Sequence, residues 1–216
     1  MTINYDSSVL DYTGTFIKQE RIKGKLHKEQ TIDFKFRNKP FSLFMQWTKN
    51  PGKADRLLFV KGQNNNKMIV HPAGLFSLIK SVERDPKGKE VFKHSLRSCD
   101  KFGIRNLLDR ISSVSKISSK NGNFKAAYTG ETLIDKRPCM VIETDIGKIK
   151  VTDQKGKTEV SNVEKVILTV DLGYCLPVSI KSLDAKGNLI SKYTYSNLKF
   201  NTNLSDANFT KKANKL

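Results

Sequence analysis

An alternation of apolar and polar residues with a period of two most narrows what this chain can become. In residues 31–37, Ile32, Phe34 and Phe36 alternate with Asp33, Lys35 and Arg37. That period matches a strand whose successive side chains point to opposite faces. Pro40 breaks the segment. Phe41, Leu43, Met45 and Trp47 then share one face of the next strand, with Phe44 on the other. Only Lys39 and Pro40 separate Asn38 from Phe41, so the spacing predicts that the two strands pair directly. Their apolar faces would then join into one surface.

Period two returns along most of the chain. RLLFVKG (56–62) and KMIVH (67–71) are apolar on both faces at their centres, and the Asn run at 64–66 between them reads as a hairpin loop. Further strands are expected at about 124–134, 137–147, 163–172, 175–183 and 187–200, separated by turn residues. The stretch 148–162 is polar and Gly-punctuated, an exposed hairpin or loop. One segment has the other period. Ile104, Leu107, Leu108, Ile111, Val114 and Ile117 form the apolar stripe of an amphipathic helix over 103–118. Asp100 stands just before it as a possible N-cap, and Lys120-Asn121-Gly122 ends it. Leu107, Leu108 and Ile111 are expected to be buried, with Arg105 and Asp109 exposed. Strands, one helix, then strands, with short connections, predict a single mainly β domain over 1–216. Its sheet would be antiparallel, with the helix packed against it and no parallel βαβ unit.

The apolar excess on both faces carries functional information. RLLFV, KMIV, FSLFM and VILTV each place large side chains on both sides of a strand. A curved sheet accommodates this if one face packs inside and the other lines a second apolar space. A sandwich or closed barrel would instead bury both faces in protein.

Lys and Arg total 39 against 21 Asp and Glu, a formal charge of +18. Such a field favours anionic partners, namely nucleic acid, anionic lipid headgroups or acidic polymer, or serves solubility alone. Strands such as IDFKFR set aromatics beside Lys and Arg as a base-stacking platform would. The RNP1 pattern is absent, however, and the alternation is that of an ordinary core, which leaves a basic nucleic-acid-binding domain the weakest reading.

Signals for catalysis or metal binding are sparse. Cys99, Cys139 and Cys175 show no CxxC spacing, and the odd count leaves at least one thiol free or paired between chains. His94 and Cys99 are five apart, but a Cys–His nucleophile pair needs closeness in space. No Walker loop, GxGxxG or GxSxG occurs. No apolar stretch approaches the ~20 residues that span a bilayer. The first residues lack the basic and apolar regions of a signal peptide. Taken alone that predicts the cytoplasm; a mature chain trimmed of its signal predicts the same residues.

Three blocks carry a family resemblance: YTGTFIKQERIKGKL (12–26), KFRNKPFSLFMQW (35–47) and LLFVKGQNNNKMIV (57–70). They resemble a bacterial family of unknown function within the outer-membrane lipoprotein-carrier superfamily, whose named members are LolA and LolB. FGIRNLLDRI (102–111) fits the family's mid-chain helix. Residues 170–209 have the general shape of the superfamily, with a strand ending at Asp171, Leu176-Pro177 opening the next, and a Tyr-rich strand running into LSDANF.

The resemblance implies an unclosed antiparallel β-barrel or half-barrel plugged by helices, its one curved sheet having roughly ten or eleven strands. It implies a periplasmic, non-enzymatic carrier or sensor that holds acyl chains of a lipid or acylated protein in its concave face. It implies no cofactor and no metal. The superfamily's N-terminal helix has only DSSVLD left to form it here. No ligand contact carries over by motif. The candidate cavity residues therefore come from the strand pattern: Ile32, Phe34, Phe36, Phe41, Leu43, Met45 and Trp47. Lys and Arg at the mouth would hold an anionic headgroup or membrane surface. The principal rival is a structural or protein-interaction module of the cell envelope. A meander in which 163–172 lies between 137–147 and 175–183 would keep Cys139 and Cys175 about two strand spacings apart, too far for a disulfide.

Overall fold

The computed structural model describes residues 2–76, 78, 81–152 and 158–216. Helix α1 is Thr2–Ser8 and helix α2 is Ile104–Lys120. The strands are β1 (Asp11–Ile22), β2 (Lys25–Leu26), β3 (Gln30–Arg37), β4 (Ser42–Lys49), β5 (Ala54–Val60), β6 (Met68–Pro72) and β7 (Val82–Arg84). After α2 come β8 (Lys125–Ile134), β9 (Arg137–Asp145), β10 (Lys150–Thr152), β11 (Thr158–Val160), β12 (Lys165–Asp171), β13 (Leu176–Leu183) and β14 (Leu189–Phe200).

Twelve strands form one unclosed sheet in the order β7-β6-β5-β4-β3-β1-β14-β13-β12-β9-β8, with β2 on β1; β10 and β11 form a separate hairpin. The fold class is thus mainly antiparallel β with one main helix, with one strand more than the ten or eleven expected. The hairpin falls inside 148–162, although 153–157 lie outside the described residues. Residues 2–8 make a short N-terminal helix, so more of the chain enters it than DSSVLD alone. Contacts group the chain into two compact units, Thr2–Gly103 with Tyr195–Leu216, and Ile104–Thr194.

In the first unit, β3 and β4 pair as the two-residue connection predicts. Ile32 stands opposite Trp47, Phe34 opposite Met45 and Phe36 opposite Leu43. The next pairing sets Met45 against Leu57 and Leu43 against Phe59, while Phe44 faces Leu58 on the other side. β4 and β5 therefore each contribute to two apolar layers. The second layer is Phe44, Leu58, Val60 and Ile69, and the chain's own C-terminal segment covers it with Phe209, Leu204 and Leu216. Asp11 fixes the start of that segment by accepting hydrogen bonds from the Thr202 amide and hydroxyl at 2.7 and 2.9 Å. Arg37 lies over the Phe209 ring, 5.1 Å from its centroid, and pairs with Asp206 at 2.6 Å. The second apolar face of β4 and β5 is thus covered by the chain's own C-terminal segment. Gly14 lets β14 approach, since a Cβ there would lie 2.8 Å from the Ser196 carbonyl oxygen.

In the second unit, β9, β12 and β13 lie side by side in the expected order. Cys139 stands opposite Asp171, Asp171 stands opposite Leu176, and all three cysteines are free thiols. Arg137 donates to both oxygens of the buried Asp171, from Nε at 2.6 Å and from Nη2 at 2.8 Å. Its guanidinium lies 3.8 Å from the Tyr174 ring centroid. The pair ties β9 to the turn after β12. Helix α2 packs on β13, and the Ser118 hydroxyl donates to the Ile146 carbonyl at 2.8 Å.

Candidate functional site

The face singled out by the strand pattern lies in the first unit. Ile32, Phe34, Phe36, Leu43 and Met45 are buried, while Phe41 and Trp47, toward its two ends, are half-buried. Trp47 donates from Nε1 to Gln30 Oε1 at 3.3 Å. The register brings Ile32, Phe34, Phe36, Leu43, Met45 and Trp47 onto one surface, Phe41 joins it with its ring 5.2 Å from Phe36, and Phe102 closes it. The Phe102 ring is 5.1 Å from Phe16 and Phe34, 5.6 Å from Tyr195 and 5.9 Å from Phe36. Tyr12 adds contacts at 4.9 Å to Phe36 and 5.7 Å to Phe34, in part edge-to-face. Gly103, at φ +104°, follows directly; a Cβ there would lie 2.9 Å from the Tyr12 hydroxyl. Sequence periodicity missed Phe102 because it sits outside any strand. Its only signal is the Phe-Gly pair before the helix.

Cys99 belongs to the same cover. Its Sγ lies 3.8 Å from Met68 Sδ, and burial pushes the thiol well above its ordinary range. That is the reverse of what a nucleophilic thiol needs. His94 is exposed, and its pKa is lowered by desolvation and then by the charge of Lys53. Neither hydrogen-bonds the other among the described residues. His71 is bound elsewhere, with Nδ1 2.7 Å from Asp55 Oδ1 and Arg56 against its ring at 3.1 Å. Among the described residues no cluster of three or more His, Cys, Asp or Glu is placed to hold a metal.

A second apolar surface lies in the Ile104–Thr194 unit, where the sequence reading placed the helix and the both-sided VILTV strand but no candidate cavity residue. Register places Tyr128, Ile142, Leu168, Ile180 and Tyr193 in one row across β8, β9, β12, β13 and β14. The opposite face carries Glu143, Ile167, Lys181 and Lys192. Burial falls along the apolar row. Tyr193, Ile180 and Leu168 are 6%, 5% and 9% exposed, Ile142 is half-buried, and Tyr128 is 62% exposed. The neighbouring Met140 is also only half-buried.

Helix α2 shows the same incompleteness. Ile104 and Leu108 are buried, but Leu107, Ile111, Val114 and Ile117 are half-buried. This corrects the expected burial of Leu107 and Ile111. Asp109 is exposed as expected, while Arg105 is half-buried and reaches Asp109 at 3.4 Å. An amphipathic helix that seated fully on a sheet would cover its stripe. Here both the stripe and the β8–β9 end of the row keep apolar surface in contact with solvent.

Comparison with known proteins bears on the fold. The model of a family described as protein of unknown function (DUF1571) matches residues 9–215. No curated protein matches the chain. Among solved structures, the MucA/MucB complex of Pseudomonas aeruginosa aligns over 97% of this chain and 58% of that one, at 13% identity and TM-score 0.51. An uncharacterized conserved protein of Thermus thermophilus aligns over 96% and 88%, at 11% identity and TM-score 0.50. The Mycobacterium tuberculosis lipoprotein LppX aligns over 94% and 93%, at 14% identity and TM-score 0.49. The chain thus spans about 60% of the length of MucB. No helix among the described residues is long and apolar enough to cross a membrane.

Proposed function

We propose that this chain, which belongs to the DUF1571 family, is a non-enzymatic binding protein of the bacterial periplasm that holds an acyl chain of a lipid or lipoprotein. Residues 1–216 act as one binding module in this reading, and the match over 9–215 supports that extent. One observation carries it: an apolar row that runs from beneath α2 out to the exposed Tyr128, beside a helix stripe that is only half covered. A bound methylene chain would complete both layers. Each buried CH₂ contributes about 0.8 kcal/mol. About ten methylenes then offset the several kcal/mol lost in association and ordering. Leu107, Ile111, Ile142 and Tyr128 would line the chain. The fold shared with MucB and the resemblance to lipoprotein carriers support a binding role.

The face of Ile32, Phe34, Phe36, Phe41, Leu43, Met45 and Trp47 is a second place for an acyl chain, open only if Phe102 swings aside. Exposing one Phe costs roughly 1.5–3 kcal/mol, which about two to four further buried methylenes would offset. The half-buried Phe41 and Trp47 favour this second reading as points of entry.

Titration of the purified protein with palmitate separates the two. Loss of binding in Ile142→Asp supports the first site. A shift of Trp47 emission, with binding intact in Ile142→Asp and lost in Trp47→Ala, supports the second. No saturable binding in any form removes both and leaves the envelope interaction module.

A further inference from the structure

We infer that one end of the Thr2–Gly103 unit is a docking surface for an anionic lipid bilayer, with Leu75 and Leu78 as its inserting side chains. These are the most exposed large apolar residues described, at 97% and 96%. Both stand in the connection that follows β6. The Ala73 amide at its base donates to the Lys53 carbonyl at 3.0 Å, which anchors it beside the β4–β5 turn.

The antiparallel pairing decides what shares that end. β1 runs toward it and β3 runs from it, β4 toward it and β5 from it, and β6 delivers the chain to the leucines. Residues 23–29, 50–53, 73–76 and 78 are therefore neighbours at one edge of the unit. Gln30 Nε2 donates to the Asn50 carbonyl at 2.8 Å, and Asn50 Nδ2 donates to the Glu29 carbonyl at 2.7 Å, which holds the first two together. Lys23, Lys25, Lys28, Lys49 and Lys53 are all exposed there. None of the five is in an ion pair among the described residues, and Glu29 is the only acid in 23–29, 49–53 and 73–78.

Five unpaired cations around two bare leucines fit a surface that is anionic outside and apolar beneath. Lysines near an anionic leaflet each attract it, and leucines add a contribution that salt does not screen. A protein partner would need a shaped pocket for each leucine and acidic groups matched one to one, and nothing here selects that. The inference goes beyond the acyl-chain reading, and it is tested without any acyl ligand.

Sedimentation with vesicles of phosphatidylglycerol and phosphatidylcholine, against phosphatidylcholine alone, tests it on the full chain at about 0.15 M salt, where the Debye length is about 8 Å. The protein should pellet with the first and remain free with the second. Leu75→Ser with Leu78→Ser should lower the partition at least about tenfold, and Lys49→Glu with Lys53→Glu should lower it too. Leu133→Ser, an exposed leucine of the other unit, should change nothing. All of these side chains are exposed, so circular dichroism and melting should match the parent. In a Trp47→Phe background, the emission of a Leu75→Trp variant should shift to the blue on vesicles and be quenched by brominated acyl chains. Equal partition of the double serine variant, an unshifted emission from the introduced indole, or no pelleting with anionic vesicles overturns the inference. Vesicle binding without palmitate binding would sustain it while removing the acyl-chain reading, and the converse result would do the opposite.

Discussion

Ile142 stands directly opposite Leu168 on one face of β9 and β12, yet Leu168 is buried and Ile142 is not. Two residues of one size, paired in one ladder, differ in how far they are covered. Leu168→Ala should cost about 2–4 kcal/mol by leaving a cavity. Ile142→Ala should cost under about 1.5 kcal/mol in the free protein, because water already reaches the site. Urea denaturation of both variants checks the difference. Equal losses would place Ile142 in the core and remove the open row.

Phe102 is the next point of leverage. It packs against four rings and closes the β3–β4 face. Phe102→Ala should destabilise the chain by about 3–5 kcal/mol and turn Trp47 emission toward the red. Gly103→Ala should also destabilise, through the positive φ and the contact with the Tyr12 hydroxyl. A Phe102→Ala protein of parental stability would show that the aromatic cover does not hold this face.

How much of this was legible in the sequence differs between the two units. Alternation and a two-residue connection were enough to pair β3 with β4 and to set their apolar faces on one side, because a one-residue slip would turn a buried face outward. The stripe of α2 was equally plain. Coverage was not legible. Leu107 and Leu108 carry the same periodic signal, but their burial depends on which strands lie beneath the helix. Tyr128 and Leu133 in β8 resemble core residues by type and are exposed because β8 is the edge strand. The C-terminal cover, Leu204, Phe209 and Leu216, follows neither period, since it runs through short 3₁₀ turns.

The thiols give a test of strand order. With β12 between β9 and β13, Cys139 and Cys175 should not bridge, and titration of the unfolded, unreduced protein should find three thiols. In the native state Cys175, exposed in its turn, should react first. Cys99 and Cys139 should react slowly, because burial raises both thiols. A Cys139–Cys175 disulfide would contradict the order.

Asp171 and Arg137 set an acid limit. Burial alone would raise the Asp171 pKa, but the Arg137 hydrogen bonds and the Tyr174 amide outweigh it, and the carboxyl lies below its ordinary value. A depressed folded-state pKa gives stability that is complete above the unfolded value, about 3.9, and is lost as pH falls through the folded one. Arg137→Ala should cost about 2–3 kcal/mol at pH 7, less than for a fully buried pair because Arg137 is partly exposed. The difference between variant and parent should shrink below about pH 4. A difference that is flat from pH 7 to pH 3 would show that the pair contributes through packing on Tyr174 and not through charge.

The central claim is that an acyl chain lies on the open row beside α2. Native mass spectrometry of the protein mixed with a single-chain phospholipid tests it most directly, comparing the parent with Ile142→Asp and Trp47→Ala. A one-to-one adduct that persists in Trp47→Ala and vanishes in Ile142→Asp is the result expected. No adduct with the parent, or one that Ile142→Asp leaves undiminished, would contradict the claim.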